Sequence, residues 1–484
     1  MSERRALAAM SFAAMLAIAG CAAGPDYRSP PAPSVAGYTA KDPAAVGDES
    51  AGGAQSIRAG AAVAPRWWES FGSRELDGLV AASLAGSPTL ETARATLEEA
   101  RHQLEAARGS AYPRIDLAAS AARANGSPQT GALSAANFFS IGPTASFVPD
   151  VFGGTRRRIE QAGALVDFQR AQRQAAELGL AGNTVLQAIA LATTLGEVEA
   201  VRDVIAVDER NLELVRISAS AGKSARLDVL TAESQLASDR ALLPPLLKDA
   251  AIARDALAVL AGKAPSEWTP PPLGLGAMSL PAELPLALPS QLVRRRPDLV
   301  AADAELHAAS ASIGIATAQL YPSIDLTASW TSSAGTMGAL FGSGANTWSL
   351  AASLLAPVFD AHTLAAQRDA AIDAYAAQLG TYRQAVLLAF GEVADALQAL
   401  QQDALLVEAQ RKALDTAQAT LDLTQQSYQA GQTSFLQIIE AQRLFQQARL
   451  GYVRAKAQRY ADSAQLFVAM GGAVPDAPAP RTER

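Results

Sequence analysis

Tyr112-Pro113-Arg114-Ile115-Asp116-Leu117 and Tyr321-Pro322-Ser323-Ile324-Asp325-Leu326 are the two hexapeptides on which the fold turns. They lie 209 residues apart. The same spacing carries Pro88-Thr89-Leu90 onto Pro297-Asp298-Leu299, Ala221-Gly222 onto Ala430-Gly431, Leu227 onto Leu436, Leu257 onto Leu466 and Gly262 onto Gly471. Around Pro149-Asp150-Val151-Phe152 and Pro357-Val358-Phe359 the shift drops by one or two, as expected beside loops of unequal length. Ordered anchors at one spacing indicate an internal duplication, and the period is far too long for a solenoid unit. Each copy is half of a domain.

Each half predicts a helix, two strands, a very long helix and a return helix. Leu79, Leu84, Leu90, Leu97 and Leu104 give one helix over Leu76 to Arg108, ended by Gly109 and Pro113. Ile115, Leu117, Ala119 and Ala121 then alternate with Asp116, Ala118, Ser120 and Ala122. After a loop at Asn125 to Asn137, Phe139, Ile141, Ala145 and Phe147 alternate with Ser140, Gly142, Thr144 and Ser146. The second half repeats this, with Ile324, Leu326, Ala328 and Trp330, and then Trp348, Leu350, Ala352 and Leu354, alternating with small and polar residues. No proline occurs between Pro149 and Pro244 or between Pro357 and Pro475. The first long leg, Gly154 to about Ser218, would run roughly 95 Å at about 1.5 Å per residue, which demands a coiled-coil partner. Gly222 and Gly431 stand where the chain must reverse. Pro244-Pro245 should interrupt and kink the first return leg, whereas Val453-Arg454 stands in the second. Leu178 to Gly196 carries no charge, but Asn183, Thr184, Gln187, Thr193 and Thr194 dilute it, so it reads as amphipathic helix rather than a membrane span.

Period-two strands with one apolar and one small, polar face suit a transmembrane barrel; a soluble sheet with one wet face has the same pattern. Their lengths, about 9–11 residues, match a membrane crossing. Four strands do not close, and an open edge in lipid leaves backbone groups unpaired at several kcal/mol each. Two copies give a barrel filled by side chains, and three give one wide enough for water. Small lumen residues favour three. The expected fold is mainly α with a small β part: four transmembrane strands and long antiparallel helical hairpins per protomer, with a trimer forming a twelve-stranded β-barrel continuous with an α-helical barrel.

The N-terminus sets the compartment. Arg4 and Arg5 precede an apolar run, Ala6 to Ala19, too short to span a membrane but right for a signal peptide. Ile18-Ala19-Gly20-Cys21 looks like a lipobox, making Cys21 the lipidated first residue of the mature chain, with a covalent N-acyl diacylglyceryl group and no other cofactor. Ala22, where an aspartate often retains lipoproteins at the inner membrane, leans towards the outer membrane. A lone cysteine forms no intrachain disulfide. His102, His307 and His362 are too few and scattered for a metal site, and the net charge of −7 argues against nucleic acid.

Several stretches resemble the TolC-like outer-membrane efflux proteins, most closely the lipoprotein (NodT/OprM-like) branch serving resistance-nodulation-division pumps. They are Cys21-Ala22-Ala23-Gly24-Pro25-Asp26-Tyr27-Arg28-Ser29-Pro30, Trp67-Trp68-Glu69-Ser70-Phe71 with Leu76, Arg295-Arg296-Pro297-Asp298, Leu320-Tyr321-Pro322-Ser323, and Tyr428-x-x-Gly431 with Leu436 and Ala441-Gln442. The resemblance covers essentially the whole mature chain. It implies a homotrimer in outer-membrane lipid with a long periplasmic part and an equatorial collar. It also implies a periplasmic adaptor (membrane fusion) protein docking at the hairpin tips, and an inner-membrane resistance-nodulation-division pump that hands over drugs or other toxic small molecules. The chain then divides into a signal peptide (1–20), a lipidated segment contributing to the collar (21–75), a first repeat (76–262), a linker or collar segment (263–290), a second repeat (291–471) and a flexible tail (472–484).

Candidate adaptor-docking residues are Ala221, Gly222 and Lys223 at the first tip and Ala430, Gly431 and Gln432 at the second; the glycines also serve the turn itself. Candidate gate residues are Glu213, Arg216, Asp422 and Gln425, one or two turns before the tips. Three-fold symmetry would multiply an inward carboxylate into a ring that repels or recruits cations; solvated outer-face charge is the plainer reading. Gly222-Lys223-Ser224 copies the end of a P-loop, but Ile217 stands where its first glycine belongs. Ser220-x-x-Lys223 lacks a partner Lys-Thr-Gly. The reading is a passive conduit, not an enzyme. Its rivals are the outer-membrane duct of a type I protein secretion system and a lipid-anchored scaffold that carries no flux.

Overall fold

The computed structural model describes residues 23–47, 53–124 and 136–472. The expected signal peptide (1–20), Cys21, most of the expected Asn125–Asn137 loop and residues 473–484 lie outside them. The elements in order are β1 (Ala45–Val46), β2 (Gln55–Ala59), a 3₁₀ turn (Trp67–Phe71), α1 (Arg74–Gly86), α2 (Pro88–Gly109), β3 (Arg114–Ala124), β4 (Ala136–Phe147), α3 (Gly154–Ser220), α4 (Arg226–Leu260), β5 (Glu283–Leu286), α5 (Pro289–Arg295), α6 (Pro297–Ala318), β6 (Ser323–Ala334), β7 (Asn346–Leu355), α7 (Thr363–Gln429) and α8 (Phe435–Ala469). The fold is mainly α with a small β part. The duplication holds to the residue: α2, α3 and α4 fall on α6, α7 and α8 at the shift of 209. Both long helices have 67 residues and both return helices 35.

Two expectations are corrected. The single helix over Leu76 to Arg108 is two helices, parted at Ser87, just as α5 and α6 part at Arg296. Each parting residue precedes a proline and is extended, Ser87 at ψ 122 and Arg296 at ψ 120. The following proline ring disfavours helical ψ there, while the proline itself suits a first helical turn. The second correction is α4, which runs uninterrupted through Pro244 and Pro245. The carbonyls these prolines leave free belong to Arg240 and Ala241, both exposed, so water satisfies them.

The contacts divide the chain into two compact units, each drawing on both repeats. The first, within residues 1–30, 96–170 and 301–383, holds an antiparallel sheet of order β3-β4-β6-β7. Its register puts Leu117 opposite Pro143, Ala145 opposite Ala328, and Trp330 opposite Trp348, all on one face. Asp116, Thr144, Ser329 and Ser349 line up on the other. Ile115, Leu117, Trp348, Leu350 and Leu354 are exposed in the protomer. A proline in a central strand is unusual; here the β4–β6 ladder skips Gly142 and Pro143. A Cβ on Gly142 would collide with the Trp330 carbonyl, so glycine lets β6 close on the gap. Among the described residues the sheet ends in two unpaired edges, β3 and β7.

The second unit, within residues 31–95, 171–300 and 384–484, carries a small sheet in which β2 pairs antiparallel with β1 and parallel with β5. The N-terminal segment and the inter-repeat linker thus share one sheet. The Trp67–Phe71 turn packs on α8, with the Trp67 and Phe467 rings stacked 5.3 Å apart. Arg459, 1% exposed, donates to Gln55 Oε1 and to the carbonyls of Val46 and Gly53, so α8 holds the backbone around β1 and β2. The uncharged stretch of α3 is packed: Val185, Ala188, Ile189, Leu191 and Ala192 are buried, and Gly182 lets Val468 of α8 approach closely. Only this helix, among the described residues, is long and apolar enough to cross a membrane, and half of its apolar window is buried in protein.

Candidate functional site

Both hairpin tips are built alike. At the first, the Lys223 amide donates to the Ser218 carbonyl (2.8 Å) and the Gly222 amide to that of Ala219 (3.0 Å). At the second, Gln432 donates to Ser427 (2.8 Å) and Gly431 to Tyr428 (2.9 Å). This is the Schellman pattern, which satisfies the last helical carbonyls and needs a left-handed residue at the turn. Gly222 at φ 73 and Gly431 at φ 71 supply it. A Cβ on either glycine would meet nothing within 4 Å, so backbone conformation rather than crowding selects glycine. Ala221, Gly222, Lys223, Ala430, Gly431 and Gln432 are all exposed. Beside them Leu227 and Leu436 are 71% and 64% exposed, an apolar residue at the same position of each tip.

Behind the tips, Leu212, Val215, Ala232 and Leu236 of the first hairpin and Phe435, Ile438 and Ile439 of the second share one core. That core fixes the helix phase. Glu213 and Arg216, each one residue after a buried position, are exposed on a flank, and Asp422 is exposed one residue after buried Leu421. Gln425 is half-buried. Arg216 pairs with Glu233 on the return helix at 2.7 Å, and Asp422 accepts from Gln418 at 2.9 Å. Within one protomer the four candidates occupy equivalent repeat positions, Glu213 with Asp422 and Arg216 with Gln425, without forming a cluster.

The sequence reading missed two carboxyl pairs inside the hairpins. Burial, and then the neighbouring Asp239, push Asp208 up to about 8. Burial, and then Asp462, push Asp403 up to about 7 against the lowering pull of Arg459. Gln235 donates to Asp239 and Gln458 to Asp462. A signal existed, because Asp208, Leu212 and Val215 share one helical stripe and the stripe turns out buried.

The segment that starts at Ala23 is clamped within the first unit. The Ala23 amide donates to the Phe152 carbonyl. Arg157, itself buried, reaches the Ala23 and Gly24 carbonyls and pairs with Asp26 (2.8 Å) and Glu160 (2.6 Å). Tyr27 donates to Asp303 and stacks on His307, which lies 3.0 Å from Glu160. His307 therefore has a packing role, His102 is exposed, and His362 directly precedes α7 in a left-handed conformation at φ 71. Among the described residues no group of three His, Cys, Asp or Glu could hold a metal ion.

Residues 79–263 and 288–472, one block in each repeat, match the family described as outer membrane efflux protein. The chain is 31% identical to the pyoverdine export outer membrane protein OpmQ of Pseudomonas aeruginosa, across 84% of this chain and 87% of the relative. It is 30% identical to the solvent efflux pump outer membrane protein SrpC of Pseudomonas putida, across 95% and 97%. In structure it resembles the open state of the Neisseria gonorrhoeae MtrE outer membrane channel, with a TM-score of 0.82 and 28% identity over 94% of this chain and 99% of that one.

Proposed function

The chain belongs to the outer membrane efflux protein family and works as an outer-membrane efflux duct, and we propose that it does so as a passive homotrimer. Three open sheets would join into a twelve-stranded barrel, and twelve helical legs would form the periplasmic conduit. The inner-membrane pump supplies the energy, a periplasmic adaptor docks at the tips, and the cargo is small and toxic or secreted, as the names of the relatives suggest. The observation that carries this reading is the membrane-length sheet with one exposed apolar face and two unpaired edges. Such edges are tolerable in lipid only in a closed barrel. The chain is proposed to carry no catalytic activity of its own.

Cys21 is proposed to carry acyl chains in the outer membrane. The docking of Ala23 beside Phe152, five residues past the end of β4, supports a lipid held near the foot of the strands. The exposed tips support the adaptor contact. Glu213, Arg216, Asp422 and Gln425 are proposed to tune ion passage once three copies surround the axis. Deleting Ala221 to Ser224 should leave conducting trimers in the outer membrane yet abolish export in a hypersusceptible host. Export at the normal level would remove the docking role, and absence of conductance from purified protein in planar bilayers would remove the duct.

A further inference from the structure

We propose that Phe359 of one protomer stacks on Tyr112 of the next, and that this aromatic pair fixes the register in which β7 of one chain joins β3 of its neighbour. The inference rests on the closed-barrel reading above and deepens it, by naming the surface through which a second copy binds.

The argument starts from a junction already complete inside one chain. β4 pairs with β6, and Phe147 at the end of β4 lies opposite Leu326. Five residues beyond Phe147 comes Phe152; five residues before Leu326 comes Tyr321. Their rings stack, with centroids 4.8 Å apart and planes 11° from parallel. The stack therefore closes the end of the ladder in register with it.

The duplication supplies the same parts a second time, left unjoined. Tyr112 stands before β3 as Tyr321 stands before β6, and in the same turn. The Tyr112 amide donates to Gly109 at 3.1 Å and the Tyr321 amide to Ala318 at 3.2 Å, each pair 209 residues from the other. Val358-Phe359 follows β7 as Val151-Phe152 follows β4. Yet Phe359 is 90% exposed, Val358 95% and Tyr112 72%, whereas Phe152 is half-buried. The strands beside these residues, β7 and β3, are the two edges that lack partners. An exposed phenyl ring next to one unpaired edge and an exposed tyrosine next to the other are what the internal junction leaves when its two halves are divided between protomers.

Carrying the internal register across gives a specific pairing. Leu354 should face Leu117 of the neighbouring protomer, and Ala352 should face its Ala119. Both pairs lie on the apolar face, so the exposed band of each sheet continues into the next. A slip of one residue would oppose apolar to polar positions along the whole seam. The stack, lying beyond the last strand pair, opposes slips of two, which the alternation alone does not forbid.

The test uses full-length protein purified as the assembled species. Paired substitutions Ala352→Cys with Ala119→Cys, and Ala351→Cys with Ser120→Cys, should each give covalent trimers on mild oxidation and non-reducing electrophoresis. The natural chain has a single cysteine, Cys21. Ala352→Cys with Leu117→Cys, slipped by two, should cross-link at least tenfold less. Phe359→Ala and Tyr112→Ala should each lower the temperature at which trimers dissociate in detergent, and the double variant should lower it no further than the stronger single. The proposal is overturned if trimers form but cross-link in the slipped combination, or if the two alanine effects add. If the unsubstituted protein forms no trimer, the barrel reading falls first and takes this inference with it.

Discussion

At the residue scale, glycine is needed where a second backbone comes too close for a side chain. Gly24 combines both constraints, a left-handed φ of 86 and a Cβ position that would collide with Gly314 of α6. Gly314 in turn leaves room for Arg157 and for the Ala23 carbonyl. Gly24→Ala should cost about 1–3 kcal/mol, the range for backbone strain of this kind, and detach residues 23–30 from the Arg157 clamp. Limited proteolysis should then cut the N-terminal segment faster than in the parent. Gly78→Ala, in a helix and with nothing within 4 Å, is the control and should leave the cleavage pattern unchanged. The clamp was only partly legible beforehand. Gly24, Asp26 and Tyr27 stood in a stretch the family resemblance had singled out, but no local pattern joined them to Arg157, about 130 positions away.

At the element scale, the two hairpins share their lengths and tip turns but bury their carboxyl pairs at non-equivalent positions. The first holds Asp208 against Asp239 and the second Asp403 against Asp462. A carboxyl raised by burial binds its proton more tightly in the folded hairpin than in the unfolded chain. Its contribution is therefore full below the unfolded value near 3.8, declines as pH rises, and is exhausted above about 8 for Asp208. Hydrogen exchange of residues 205–240 should accelerate across that window, by up to about tenfold per pH unit after correction for intrinsic exchange, the limit for one proton. Asp208→Asn keeps the shape and removes the titration, so its protection should be flat with pH; an unchanged slope would place the effect elsewhere. The hairpin turns repeated at 209 were readable from Gly222 and Gly431, whereas the helix break before Pro88 was passed over. The burial of Asp208 was not, because it depends on which neighbouring helix covers that stripe.

At the scale of the whole molecule, membrane attachment has two sources, the acyl chains proposed on Cys21 and the strands. The strands present a broad exposed apolar face that includes Leu117, Trp330, Trp348, Leu350 and Leu354. Burying one such side chain contributes about 1.5–3 kcal/mol, and three protomers multiply the face. A Cys21→Ser protein still exported to the periplasm should thus retain most of its trimers, as judged by native electrophoresis of outer-membrane extracts. A soluble monomer would assign the decisive role to the lipid. The sequence by itself determined the duplication, the two long hairpins, the four alternating strands and the glycine turns. Each is set by local periodicity, by proline and glycine stereochemistry, or by one segment repeating another. Only the tertiary structure decided that Arg157 grips the N-terminal segment, that Gln55 meets Arg459, that Asp208 neighbours Asp239 and Asp403 neighbours Asp462, and that Phe152 is half-buried while Phe359 is bare. Those facts depend on which distant segments come into contact. A helical or strand repeat says that a side chain has a face, and only packing says what that face meets.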